Sequence, residues 1–294
     1  MFLAIEWTSA AFHAFLLAAD GTLLGQRQEA RGVNHIADGG FEAVLREIVG
    51  DWTAEASRIY LSGMITSRNG WVETPYAATP ASLSDIAAGA VVRHIEGLPP
   101  LIFLPGISVR DPLADMMRGE ELKVFGAMGR NGGLVALPGA HTKWVSVRDG
   151  RIEQFATYMS GEVAALLKSN SLVSKLIPAQ SADNPEAFLR GVRLARDRRI
   201  GGNILRRIFS ARSLVLFEEL LPADISDYLS GLMIAAEINE AIEEYSSPDR
   251  QVTLIGAPAL CQRYSLALRE AGMTSSMVEN AGLAGFQALC LNHS

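Results

Sequence analysis

Residues 4–29, AIEWTSAAFHAFLLAADGTLLGQRQE, and residues 135–161, VALPGAHTKWVSVRDGRIEQFATYMSG, follow one plan. Each reads as an apolar strand, a short polar elbow, a second strand, a tight Asp-Gly turn and a third strand. The elbows are Glu6-Trp7-Thr8-Ser9 and Pro138-Gly139-Ala140-His141-Thr142-Lys143, and the turns are Asp20-Gly21 and Asp149-Gly150. Such an elbow can offer backbone N–H groups and small hydroxyls to a phosphate, and two of them facing across a cleft can grip a nucleotide's phosphates. The repeat therefore predicts a two-lobed α/β phosphotransferase.

Between and beyond the repeats the pattern alternates strand and helix. Helical spacing places Phe41, Val44, Leu45 and Ile48 on one face of Gly39–Gly50, and Arg58–Met64 is a buried strand running into the polar loop Ile65–Trp71. Leu101–Pro105 is a further strand, and Leu113–Met128 reads as a helix stopped by Gly129–Gly133. That glycine-rich stop divides the chain into an N-terminal lobe, 1–130, and a C-terminal lobe, 131–294. In the second lobe helices are expected from Gly161, over Ala187–Arg212 with a break at Gly201-Gly202, and over Ile225–Tyr245. Strand Val252–Ile255, Gly256-Ala257-Pro258 and helix Leu260–Ala271 make a unit whose glycine lets a base or ribose approach the backbone. A closing helix at Phe286–Leu291 is expected to pack back on the first lobe.

With 294 residues, 49% of them hydrophobic, the chain has material for two cores. Cys261 and Cys290 form no disulfide framework or metal spacing, which favours a reducing cytoplasm. Glu6 and His13 interrupt the apolar start, which reads as strands rather than a signal peptide, and no run reaches the roughly 18 apolar residues of a membrane span. A net charge of −6 argues against a nucleic-acid surface. The basic run from Arg190 to Arg207 reads as the solvated face of a helical pair.

Several clusters could carry chemistry. Met117-Arg118-Gly119-Glu120-Glu121 sets a guanidinium beside two carboxylates, with a glycine that costs a helix roughly 1 kcal/mol against alanine. Arginine can fork a substrate carboxylate, and a glutamate can accept the proton of an attacking hydroxyl; a solvated helix face is the alternative reading. Gly139 to Trp144 joins a flexible turn, an imidazole, a hydroxyl and the Lys143 ammonium, as a phosphate elbow or an ordinary polar turn would. Ser67-Arg68-Asn69 occupies a strand-end loop, where ligands of α/β sheets commonly sit.

Gly63-Met64 with Ser67 and Gly70-Trp71, then Met117–Glu121, Pro138-Gly139 with His141 and Lys143-Trp144, Met159-Ser160-Gly161-Glu162, and Leu229–Leu232 with Ala236-Glu237 resemble, in order, the motifs of the 2-dehydro-3-deoxygalactonokinase family. The resemblance implies an actin- and hexokinase-like fold of two ribonuclease-H-like lobes with a central cleft. It implies transfer of the ATP γ-phosphate, with Mg²⁺, to the 6-hydroxyl of 2-dehydro-3-deoxy-D-galactonate. On that reading Glu120 is the base, Arg118 and Lys143 assist the transfer, and Ser67, Arg68, Arg118, Glu121, His141 and Glu162 hold the sugar acid. Thr8, Ser9, Gly139, Ala140, Thr142, Gly256 and Ala257 hold the nucleotide, and Glu6 the metal. The family's opening Asp-Trp-Gly is Glu6-Trp7-Thr8 here, and Ala140 lacks the family's hydroxyl. These departures motivate an alternative, a sugar-acid sensor without turnover; a kinase for a related sugar acid is a further alternative. An oligomer is compatible with the sequence.

Overall fold

The computed structural model describes residues 1–37, 39–200, 203–245 and 250–291. The chain opens with β1 (Phe2–Trp7), β2 (Phe12–Leu17), β3 (Leu23–Glu29), α1 (Phe41–Thr53) and β4 (Arg58–Ser62). It continues through β5 (Tyr76–Ala78), β6 (Ala81–Ser82), α2 (Leu83–Ala88), β7 (Val91–Arg93), β8 (Leu101–Phe103), β9 (Gly106–Val109), β10 (Asp115–Met117) and α3 (Glu120–Met128). Then come β11 (Gly133–Leu137), β12 (Thr142–Arg148), β13 (Arg151–Tyr158), α4 (Ser160–Ser169), α5 (Pro185–Arg196), α6 (Ile204–Ile208) and α7 (Ser210–Leu216). The last elements are α8 (Ile225–Glu244), β14 (Gln251–Leu254), α9 (Pro258–Glu270), β15 (Thr274–Met277) and α10 (Ala281–Leu291).

Two compact units result. One comprises Met1–Gly132, Val145–Phe155 and Asn280–Ser294, the other Gly133–Trp144 and Ala156–Glu279. The sequence reading divides the chain by a single cut after residue 130, whereas these units are discontinuous and their border crosses β12 and β13.

In the first unit a sheet of order β3-β2-β1-β4-β8-β7 has β1, β4 and β8 parallel at its centre. Central strands are covered on both faces, so β1 and β4 read as near-continuous apolar runs; Leu3, Ile5, Trp7 and Leu61 pack with Val44, Leu45 and Ile48 of α1. Helices α3 and α10 lie backbone to backbone. A methyl at Gly126 would overlap the Ala281 carbonyl, and one at Gly285 the Leu122 carbonyl.

In the second unit β14 lies between β11 and β15, all parallel. Its core joins Leu134, Trp144, Phe188, Leu232, Leu254 and Tyr264. Gly191 of α5 and Gly231 of α8 permit a similarly close helix crossing. The turn between β12 and β13 falls in the first unit, and its Asp149 and Gly150 both have positive φ, 51° and 71°, as a two-residue hairpin turn of the first primed type requires.

Three expectations need correction. Leu113–Met128 is not one helix: Asp115–Met117 pairs with β9 as strand β10, and Gly119 at φ 105° breaks the chain before α3. Arg58–Met64 ends as a strand at Ser62, because Gly63 at φ 94° turns it into a 3₁₀ turn. Ala187–Arg212 divides into α5, α6 and part of α7; the break expected at Gly201-Gly202 lies outside the described residues. Among the described residues no helix is long and apolar enough to cross a membrane.

Candidate active site

In the first unit the elbow after β1 is closed on itself. Thr8 Oγ1 accepts from the N–H groups of Ala11 at 2.9 Å and Ala10 at 3.3 Å, while Thr8 N–H donates to the Ala11 carbonyl at 2.8 Å. Ser9 is exposed. Glu6 is 8% exposed and its Oε1 lies 2.5 Å from Lys123 Nζ, an ion pair delivered by α3. Facing Glu6, Glu120 and Glu121 raises the Lys123 pKa despite its burial. Glu6, read from the sequence as the metal residue, therefore has an ammonium where a divalent cation would bind. Mg²⁺ is commonly held by one or two carboxylates, and among the described residues no group of three or more His, Cys, Asp or Glu is arranged for a metal. Direct ligation by Glu6 does not fit this arrangement.

The second cluster of the first unit sits at the carboxyl end of β4. Gly63 and Gly119 meet there, a Cβ on Gly119 falling 3.1 Å from Gly63 Cα. Arg118 Nη1 donates to Thr66 Oγ1 at 2.8 Å, the Thr66 carbonyl at 2.6 Å and Thr74 Oγ1 at 2.5 Å. Its Nη2 donates to the Thr74 carbonyl at 3.1 Å, and the guanidinium lies 4.2 Å above the Tyr76 ring. These bonds occupy the fork that would grip a carboxylate in bidentate fashion, and make Arg118 the clasp of the Gly63–Tyr76 loop. That loop carries Ser67, whose hydroxyl donates to the Met64 carbonyl, and exposed Arg68.

Behind the clasp the two glutamates differ. Glu120 is half-buried and accepts from Arg118 N–H at 2.9 Å. Glu121 has no exposed surface, and both its oxygens accept from Gly119 N–H, at 2.9 and 2.7 Å. Burial, helped by the Glu120 charge, pushes its pKa to about 8. Glu121 therefore holds the Gly119 turn and is largely protonated at neutral pH.

In the second unit the elbow after β11 is held from behind. Thr142 Oγ1 turns inward to the Tyr264 hydroxyl at 2.9 Å and reaches Gly139 N–H only at 3.4 Å. Tyr264 donates on to Glu237, 3.0 and 2.9 Å from its two oxygens; Trp144 Nε1 donates to the same carboxylate at 2.7 Å, and the Ser160 hydroxyl completes the cluster. Glu237 is 3% exposed, and burial raises its pKa to about 6 although these donors lower it. Gly161 packs so tightly on Gly139 and Ala140 that a side chain there would overlap the Gly139 carbonyl. On the outer side exposed His141 Nε2 lies 2.5 Å from Glu162 Oε2, while Lys143 is buried and its Nζ donates to Thr157 Oγ1 at 2.5 Å. Gly256 and Ala257 are exposed at the start of α9.

Beside this elbow opens a cavity of about 340 Å³, lined among others by Gly139, Ala140, Gly161, Ile234, Tyr264 and Lys168. Its size is that of a small-molecule site with an apolar wall and few polar groups. The sequence reading gave no site role to Lys123, Ser160, Lys168, Ser230, Glu237 or Tyr264. Ser160, Ser230 and Glu237 stood in quoted motifs; the two lysines and Tyr264 had no local signal.

The profile of the family described as 2-keto-3-deoxy-galactonokinase matches residues 6–289. The chain belongs to this family. It is therefore a carbohydrate kinase of the 2-keto-3-deoxy-galactonokinase family, which the sequence resemblance anticipated. Over 289 residues it is 33% identical to a Rhizobium meliloti (strain 1021) protein named "Probable 2-dehydro-3-deoxygalactonokinase DgoK1", covering 94% of this chain and 91% of that one. It is 32% identical to the 2-dehydro-3-deoxygalactonokinase of Escherichia coli (strain K12), covering 98% and 95%. A crystal structure from Sinorhizobium meliloti bearing the same kinase name superposes with TM-score 0.89 at 30% identity over 100% and 99% of the two chains. The fold extends to more distant proteins: an activator of 2-hydroxyisocaproyl-CoA dehydratase from Clostridium difficile, with bound ADPNP, gives TM-score 0.50 at 11% identity over 99% and 93%. The architecture is the actin- and hexokinase-like ATPase fold.

Proposed function

We propose that this family member transfers the γ-phosphate of ATP to the 6-hydroxyl of 2-dehydro-3-deoxy-D-galactonate, a cytoplasmic step in galactonate breakdown. The observation that carries the reading is the family match over 6–289 together with a phosphate-type elbow opening on a nucleoside-sized cavity. Phosphoryl transfer asks a protein chiefly for positioning and charge neutralisation. The nucleotide's phosphates lie on Gly139, Ala140 and Thr142, its nucleoside enters the cavity, and Gly256 and Ala257 flank it. Mg²⁺ travels on the nucleotide's own phosphates. Ser9 is the hydroxyl that the first elbow leaves for a phosphate; Thr8 shapes that elbow.

The Gly63–Tyr76 loop receives the sugar acid, with Ser67 and exposed Arg68 reading its oxygens. Arg118 and Glu121 keep that loop and the Gly119 turn in place. Glu120, half-buried at the start of α3, accepts the proton of the 6-hydroxyl. Lys143, His141 and Glu162 serve the transferring group from the second unit's elbow.

The test is a coupled ADP-release assay across a panel of 2-keto-3-deoxy sugar acids with ATP and Mg²⁺. Release dependent on 2-dehydro-3-deoxy-D-galactonate supports the reading, and preference for another acid makes the chain a kinase of that acid. The second reading, a sugar-acid sensor, is favoured by the Glu6–Lys123 pair and the self-bonded Thr8 turn. It takes over if calorimetry detects acid binding while no acid stimulates ADP release.

A further inference from the structure

The cavity of the second unit holds a lysine for which the reaction as described has no use. Helix α4 turns Gly161, Ala164, Ala165 and Lys168 toward it. That spacing is one face of a helix, and its three small residues make the room. Helix α8 answers with Ser230, Met233 and Ile234. Lys168 Nζ donates to Ser230 Oγ at 2.5 Å, its one hydrogen bond among the described residues. An ammonium carries three donors. The neighbouring carboxylate, Asp227, is bound instead by Arg263 Nη1 at 2.6 Å and by Asn184 N–H at 2.6 Å. Burial and the Arg263 charge accordingly push the Lys168 pKa down, with Asp227 partly offsetting them.

A cation facing an apolar cavity with a single serine as partner is an arrangement that a ligand's acceptors would complete, since buried charge is costly unless paired or hydrogen-bonded. Its position says which part of a ligand. Gly161, at the phosphate elbow, and Lys168 are seven residues apart on α4, about 10 Å along the axis. Lys168 thus enters the cavity away from the elbow, on the side where the opposite end of a nucleotide with its phosphates on the elbow comes within its reach.

We propose that Lys168, steadied by Ser230, is the specificity residue of the nucleotide site and donates to an acceptor atom of the base. The proposal rests on the nucleotide reading of the cavity given above. It makes α4 a ruler, with small residues beside the phosphates and sugar and a cation at the base.

The experiment is calorimetric titration of the intact chain with ADP, GDP, UDP and inorganic pyrophosphate. It compares the native protein with Lys168→Met and with Ser230→Ala, which removes the partner but keeps the cation. The expected result is a tenfold or greater loss of affinity for the preferred nucleotide in Lys168→Met and a loss of about threefold in Ser230→Ala. The spread among the three nucleotides should narrow in both, with pyrophosphate binding changed less than twofold. Equal losses for pyrophosphate and nucleotide would place Lys168 on the phosphates and overturn the proposal, as would an unchanged spread. If Lys168→Met does not fold, an unchanged ADP affinity and spread in Ser230→Ala overturns it. Should the native protein bind ATP in the ADP-release assay while Lys168→Met keeps full nucleotide discrimination, only this inference falls; should it bind neither nucleotide nor pyrophosphate, the nucleotide reading falls with it.

Discussion

After β1 the hydroxyl of Thr8 accepts from the N–H groups of Ala10 and Ala11, and the carboxylate ahead of it is neutralised by Lys123. After β11 the corresponding hydroxyl, Thr142, points the other way, into a buried chain through Tyr264 to Glu237. The first elbow thus turns the N–H groups of Thr8, Ala10 and Ala11 on itself, while the second is braced from its inner side and keeps Ala140 and His141 exposed beside half-buried Gly139. Two stretches with the same sequence plan therefore differ in what they can offer an anion. On the proposed reading, nucleotide recognition belongs to the second unit and the sugar acid to the loop that Arg118 clasps.

The comparison is broken most forcefully at Glu237. Glu237→Ala leaves the buried donors of Trp144, Ser160 and Tyr264 without their acceptor, each a loss of about 1–3 kcal/mol. Chemical denaturation should show a destabilisation of at least about 3 kcal/mol, and ADP should bind more weakly. A variant as stable as the native chain would mean that the elbow is not braced in this way. Next in size is Arg118→Ala, expected to cost about 1.5–3 kcal/mol, the range for hydrogen bonds to charged groups. Sugar-acid affinity should fall with ADP affinity unchanged; equal loss of both would deny that the clasp serves the first unit's loop.

Glu121→Gln sharpens the contrast between the two buried acids. The folded-state pKa of Glu121, about 8, stands above the ordinary 4.5, so between these values the folded chain holds a proton that the unfolded chain has released. This group's contribution is therefore full below pH 4.5 and is lost as pH rises to about 8. The amide imitates the protonated acid and still accepts from Gly119. Near pH 5 and below, stability should change by less than about 1 kcal/mol, while at pH 7 Glu121→Gln should be the more stable chain, because the decline between pH 5 and 8 flattens. A steeper decline in Glu121→Gln would contradict the assignment. The smallest effect is expected from Thr8→Gly with Glu6→Asp, measured as a double-mutant cycle because the two residues share one elbow. Removing the Thr8 bonds should cost about 0.5–1 kcal/mol and change ADP affinity less than threefold. A tenfold gain would return the first elbow to the centre of nucleotide binding.

Much of this was legible in the chain itself. The Asp-Gly turns, the alternation of strand and helix and the small residues of α8 are local signals, and a local signal survives in a one-dimensional reading. The start of α3 was not legible: Met116 and Met117 satisfy a helical stripe as well as strand β10, and only the positive φ of Gly119 separates them. The brace was not legible either, because Trp144 and Glu237 are 93 residues apart and meet only when α8 packs on its sheet. Arg118 was singled out for a substrate carboxylate, and residue type could not say that its donors would go to Thr66 and Thr74 rather than outward.

The most direct test of the account is amide hydrogen exchange of the intact chain with and without saturating ADP. The account predicts slowed exchange at Gly139–Thr142 and along Gly161–Lys168, with Ala10 and Ala11 unchanged. Protection centred on Thr8–Ala11, with none in the second unit, would contradict it.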